Sequence, residues 1–503
     1  GSGIKNGGPG TIYMKDKTQA YGSLALKNNN RTGKTELIDG TYNFSKIEVM
    51  DKAVLKLTSG DAVYSTDLYI QNYGSVTSTA KMNIPGDFVL DSNGTMTHSG
   101  GTFYNGDLVI GNAGIFVLNT KLTLPSLRVK SGGILTHDQG NAQCKLEISG
   151  NAVVEAGGKI DLGGKGYGPS LGPGTGTAVH EHSGSGGAYG GNGGNSQEYA
   201  GGQSGYGSVT EPIDFGSGGG GEAGGNGGGA IKINIGGDLT VEGEISAKGN
   251  DGGLYIYYET WSHHDIGVYD GGGSGGSLYL VVGGTLRGSG TIQSNGGSGY
   301  GPPYNPVPPV QRFLKDTAGG GGGGRVAIYY GKNVFIGEIT AYGGNGYKYG
   351  GAGTIYMKGG FEGSGDLIMK NNFNAGSSNA VSGEFGNIYV RDAAEFIVLP
   401  SVSVSSKSVY VQNGGMFTNA GNVSNSGMML VETNGVVSQN GGTFNASELT
   451  VRNYGIFNMN ATLTAKQVKI EENGLMTQTA APVVAQLDVE GDLTVETGGR
   501  LDL

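Results

Sequence analysis

One cysteine in 503 residues rules out an internal disulfide. Charge is scarce as well: 15% of residues are Asp, Glu, Lys or Arg, against about a quarter in an ordinary soluble domain. Coiled coils and charged helical bundles are excluded by that shortage. Tryptophan occurs once, as Trp261, and no apolar run approaches the roughly 20 residues of a membrane helix, so no membrane insertion is expected. The net charge of −10 argues against nucleic acid as a partner, which needs clustered Lys and Arg to displace counterions. No G-x-S-x-G elbow and no Cys–His signature occurs. Gly33-Lys34-Thr35 ends like a phosphate-binding loop, but Asn28 stands where the first glycine belongs and no helix follows.

Glycine is what the chain has instead: 104 residues, about the worst composition for helix interiors. It follows no strict three-residue period, which excludes collagen. Val, Ile, Leu, Tyr and Phe recur at even spacing, which disfavours disorder. The spacing comes from internal repetition. Residues 7–15 (GGPGTIYMK) match 350–358 (GGAGTIYMK), and 22–29 match 365–372, 343 positions apart. From Ile47 the offset becomes 341 and holds to 146–162 (LEISGNAVVEAGGKIDL) against 487–503 (LDVEGDLTVETGGRLDL). Three units follow: a first copy at 1–162, a glycine-rich centre at 163–343 and a second copy at 344–503, expected to form one continuous solenoid.

Within each copy, apolar pairs at i and i+2 begin at Ile47, Leu68, Phe88, Leu108, Leu127 and Leu146, in steps of 21, 20, 20, 19 and 19. The second copy repeats those steps from Ile388. Four residues after each pair there is usually a glycine, often preceded by asparagine, suited to the positive φ of a tight corner. A strand, a left-handed turn and a strand every 20 residues or so describe one coil of a stacking solenoid. The expected fold is therefore all-β, a right-handed parallel β-helix with glycine-rich and aromatic loop insertions. The hand is expected from irregular coil lengths, since left-handed hexapeptide helices keep a strict coil of about 18 residues. Cys144 shares strand parity with Leu146 and Ile148 and reads as a small core residue.

The centre obeys the same grammar. Residues 230–249 align without gaps to 277–296, then to 325–343 and to 354–358, with starts at Ala230, Ser277, Arg325 and Thr354. Two insertions of roughly 18 residues fall at the same point of successive coils and should emerge on one face. The first is GLYIYYETWSHHDIGVYDGGG and the second GYGPPYNPVPPVQRFLKDTAGG. A longer excursion of similar character spans 163–229. Its glycine runs are either flexible or extended strands packed side by side, and the sequence leaves both open.

The glycine-rich coil GGGSGGSLYLVVGGTLRGSGTIQSNGG, followed by AGGGGGGRVAIYY, resembles repeat modules of large bacterial surface proteins built from parallel β-helices. The resemblance covers essentially the whole chain and is architectural. It implies secretion or display on the bacterial cell surface, and a fibre or binding role in an adhesin-like protein. It implies no catalytic residues. The regular coils read as a rigid spacer and the central insertions as the contact surface, and no cofactor is expected. The second copy stops where the first runs on into GGKGYGP, so continuation into further repeats of the same chain is expected.

Candidate chemistry concentrates in the insertions. Tyr255, Tyr257, Tyr258, Trp261 and Tyr269 of the first face Tyr300, Tyr304 and Phe313 of the second if adjacent insertions stack. Such rings suit sugars or protein partners, here cell-surface or extracellular glycans or proteins. The bland alternative is that they pack on their own loops. His180-Glu181-His182 and His263-His264-Asp265 hold metal-ligand types, but zinc wants three or four converging ligands, and solvated loop histidines are the expectation. Asp251, Glu259, Asp265 and Asp270, with Arg312, Lys315 and Asp316, keep open a polysaccharide lyase or glycoside hydrolase. The non-enzymatic reading is preferred, because no acid pair stands out.

Overall fold

In the computed structural model, residues 8–141, 144–179, 182–203, 206–259, 264–299, 312–313, 318–360, 363–379, 382–479 and 485–503 are described. They form an all-β parallel solenoid of about 21 turns. Strands Leu108–Ile110, Ile115–Leu118 and Lys121–Leu124 make one coil, a triangle whose sides pair with the coils before and after. Period-2 alternation turns Leu108, Ile110, Phe116, Leu118, Leu122 and Leu124 inward, each at most 2% exposed. No coil closes a core alone, so burial comes from stacking. In the second copy Phe396, Phe417, Phe444 and Phe457 run up the interior edge to face, their centroids 5.6–6.3 Å apart.

The tight corner bears out asparagine at positive φ, as at Asn93, Asn434 and Asn473, and corrects the role of the glycine that follows it. In Gly111–Gly114 the positive φ belongs to Asn112 (40°) and Ala113 (61°), and the Gly114 N–H closes the turn on Gly111 O at 2.7 Å. This is the geometry of a type I′ turn. The final glycine meets a different demand. A Cβ on Gly94 would stand 1.9 Å from the Ile70 carbonyl oxygen of the preceding coil, and one on Gly114 2.6 Å from that of Leu90. Glycine is there so that coils can approach.

The fifth step of the expected period, from Leu127 to Leu146, also changes. Leu127 pairs with Ala152, 25 residues on, whereas Leu146 pairs with Leu122 in the neighbouring row. The second copy does the same, pairing Val468 with Leu493 and Leu487 with Leu463. Every side of the triangle carries the same i, i+2 apolar pair, so a lengthened corner before Lys145 moves the pair into another row unseen. Cys144, at that corner, is 2% exposed in the core, and burial pushes its thiol up to about 12.

The central alignment is borne out: Ala230, Ser277, Arg325 and Thr354 stand side by side in parallel register. The solenoid then jogs. Strand Thr354–Gly359 pairs antiparallel with Asp366–Lys370, placing Tyr356 opposite Leu367 and Ile355 opposite Ile368. Ile355 belongs to the first core, while Tyr356, Leu367 and Met369 belong to the second. One sheet thus carries the first core on one face and the second core on the other. Strand direction and interior face reverse together, so the sense of winding is kept. The first copy begins with the same hairpin, Thr11–Met14 against Ser23–Lys27. Its Gly22 N–H donates to Tyr13 Oη (3.0 Å) as Gly365 N–H does to Tyr356 Oη (2.8 Å).

The glycine runs are packed strands. N–H groups of 271–276 rotate among three neighbours with a three-residue period. Gly271 and Ser274 donate to Gly220 and Ser217, Gly272 and Gly275 to Gly319 and Gly322, and Gly273 and Gly276 to Asn250 and Ala247. Three further segments donate back, from Gly187, from Gly225 and Gly228, and from Gly297, so this strand has six neighbours. The threefold rotation is that of a polyproline-II-type helix. A Cβ on Gly273 would lie 2.1 Å from Asn226 O, and one on Gly271 1.8 Å from Ser185 O. Only glycine permits that spacing, and these contacts explain the abundance of glycine in the centre.

Candidate functional site

Both insertions leave the glycine bundle at one end. The first is a hairpin, Leu254–Glu259 against His264–Tyr269, with Tyr255 opposite Val268. The second adds strand Arg312–Phe313 alongside it, pairing Ile266 with Arg312 and Gly267 with Phe313. The expected neighbourhood of the two insertions therefore holds at the backbone. Trp261, His263, Tyr300, Tyr304, Lys315 and Asp316 lie outside the described residues, as do His180 and Glu181. So do the side chains of Tyr257, Tyr258, Glu259, Asp265, Arg312 and Phe313. Tyr269 is buried, 7% exposed, and is absent from the cavity lining below.

Where the hairpin meets the excursion, a cavity of about 500 Å³ opens, the size of a small-ligand site. Tyr255, Val268 and Asp270 line it from the hairpin, and Pro169, Ser170, Ala178, Val179, His182, Gly221 and Glu222 from the excursion. Backbone bonds fix this junction: Asp270 N–H to Gly253 O (3.0 Å) and Gly253 N–H to Ala223 O (2.7 Å). Ser170, itself at φ 54°, takes the Gly221 N–H on Oγ at 3.1 Å.

Asp270 is 2% exposed, and the Ala223 N–H donates to its Oδ2 at 2.7 Å. Gly221, at φ +103°, packs against that carboxyl so closely that a Cβ would stand 2.0 Å from Asp270 Cγ. The chain is thus folded around the acid. Burial raises the Asp270 carboxyl to about 6; the Ala223 N–H opposes the rise and Glu222 adds to it. Burial, then Glu222, also raises the Tyr255 phenol. His182 packs edge-on against Tyr199, centroids 6.0 Å apart. No lysine or arginine is among the described lining residues.

Two carboxyls, an imidazole, a phenol and a hydroxyl therefore meet an apolar wall of Pro169, Ala178, Val179 and Val268. Of these, Tyr255 is a predicted contact residue; Asp270 was one of several candidate acids with none preferred, and His182 was expected to be a solvated loop histidine. Glu222 was missed, although a signal existed: a lone acid inside a glycine run, GSGGGGEAGG, marks where a close-packed bundle ends. Asp251, also a candidate acid, instead accepts the Ser298 N–H at 2.7 Å. Among the described residues no group of three or more His, Cys, Asp and Glu is placed to hold a metal ion. None of their helices is long and apolar enough to cross a membrane. Comparison with protein-family models, with curated proteins and with solved structures finds no match to this chain.

Proposed function

We propose that the chain is a rigid spacer of a secreted or surface-displayed bacterial protein, and that the central cavity binds a glycan. The observation that carries this reading is the meeting of Tyr255, Asp270, Glu222 and His182 around one ligand-sized cavity. A tyrosine face offers a pyranose ring a flat apolar platform, and fixed carboxylates accept its hydroxyls. The stacked coils and the glycine bundle hold both walls still, so little ordering cost falls on binding. A glycan array probed with the intact chain tests the reading: binding is expected, and Tyr255→Ala should abolish it with the β-sheet circular dichroism unchanged. An array without a single hit ends it.

A hydrolytic reading has one observation behind it, the raised Asp270 carboxyl beside Glu222. An acid that titrates near pH 6 paired with a second carboxylate is what glycoside hydrolysis uses. Release of new reducing ends from a bound polysaccharide, lost in Asp270→Asn, would decide for it.

A further inference from the structure

Resting on that glycan reading, we infer that the sugar this cavity selects carries a protonated amine, seated between the carboxylates of Glu222 and Asp270. Both carboxylates border one cavity, and among its described lining residues the His182 imidazole is the one basic side chain, with no lysine or arginine. Asp270 is 2% exposed, and among the described residues only the Ala223 N–H donates to it. A buried carboxylate without a counter-charge is costly, and a second carboxylate beside it adds to the cost. A cation brought by the ligand relieves both.

An ammonium group suits the geometry. It has three donors, and three acceptors border the space: the two carboxylates and Ser170 Oγ. The remaining wall of Tyr255, Val268, Val179 and Pro169 suits the ring face of a hexosamine. A neutral hydroxyl in the same place would leave the Asp270 charge uncompensated, and a uronic acid would meet two like charges. The order of preference is therefore amine, then neutral sugar, then acidic sugar. The bundle fixes the cavity through Gly221, whose lack of a side chain makes room for the Asp270 carboxyl.

Calorimetric titration of the intact protein tests this, using a glucosamine tetramer, its fully N-acetylated counterpart and a galacturonate tetramer at neutral pH. The amine form should bind at least ~10-fold tighter than the acetylated form, and galacturonate should show no binding. Glu222→Gln should erase the preference. Glu222 is exposed, so that variant keeps the test valid should Asp270→Asn fail to fold. Equal or tighter binding of the acetylated or acidic tetramer overturns the amine inference while leaving a glycan site. Failure of all three, together with an empty glycan array, overturns the glycan reading itself.

Discussion

His98 is 0% exposed, and among the described residues neither ring nitrogen has a hydrogen-bond partner. It rests edge-on against Phe103, centroids 4.9 Å apart. Burial lowers its pKa from 6.5 to about 4. The sign follows from proton uptake: the unfolded chain takes a proton near pH 6.5 that the folded chain refuses until about pH 4. Stability is therefore complete above pH 6.5 and falls as the pH drops toward 4. At about 1.4 kcal/mol per pKa unit, this side chain removes roughly 3 kcal/mol over that interval. The second copy supplies the replacement. Gln439 stands 341 residues on; it accepts from Asn419 Nδ2 (2.7 Å) and donates to Gly441 O (2.9 Å) and Thr462 O (3.3 Å). In His98→Gln an amide can reach the matching carbonyls of the first copy and carries no titrating group. Native-state hydrogen exchange of peptides covering 95–118, corrected for intrinsic rates, should show wild type losing roughly 3 kcal/mol more than His98→Gln between pH 7 and pH 4. Equal losses would refute the argument that the histidine is held neutral by burial.

Gly273→Ala should disrupt the bundle, because its Cβ would stand 2.1 Å from Asn226 O, whereas Gly10→Ala meets nothing within 4 Å. Thermal melts should fall by many degrees in the first variant and stay put in the second. Ala113→Gly should stabilise by about 1 kcal/mol, since Ala113 holds a left-handed φ of 61°; a denaturation midpoint reads it. Arg325 is 1% exposed, lies 5.2 Å over the Tyr189 ring and donates to Tyr206 O (3.0 Å) and Thr354 Oγ1 (3.2 Å). Arg325→Ala leaves a cavity and unpaired acceptors and should cost about 3 kcal/mol or more by the same assay.

Much of this fold is written in local periodicity, and what is missing from the sequence is missing for a physical reason. The alternation at Leu108, Ile110 and Phe116 states that residues point inward, but the three sides of a coil share that alternation. Leu146 could therefore be set in the wrong row. The motif TIYMK reads alike on either face of a sheet, so nothing in it announces that Ile355 and Tyr356 serve different cores. Glycine carries no side chain to show its neighbours, which is why runs such as 216–229 left flexible and packed states both open. At the candidate site the insertions and Tyr255 could be read from alignment, because they interrupt a regular coil. Glu222 showed only as a lone acid in a glycine run; its pairing with Asp270 was not legible, since bundle packing brings the two together across 48 residues.

The central claim is that this scaffold presents a preformed cavity for a sugar. Ala178→Trp places an indole in that cavity while Tyr255, Glu222 and Asp270 are left unsubstituted. Titration of the variant with the tightest glycan from the array, alongside its circular dichroism spectrum, is the most direct test. Binding lost with the β-sheet spectrum intact is the predicted result; binding at wild-type affinity would contradict the account.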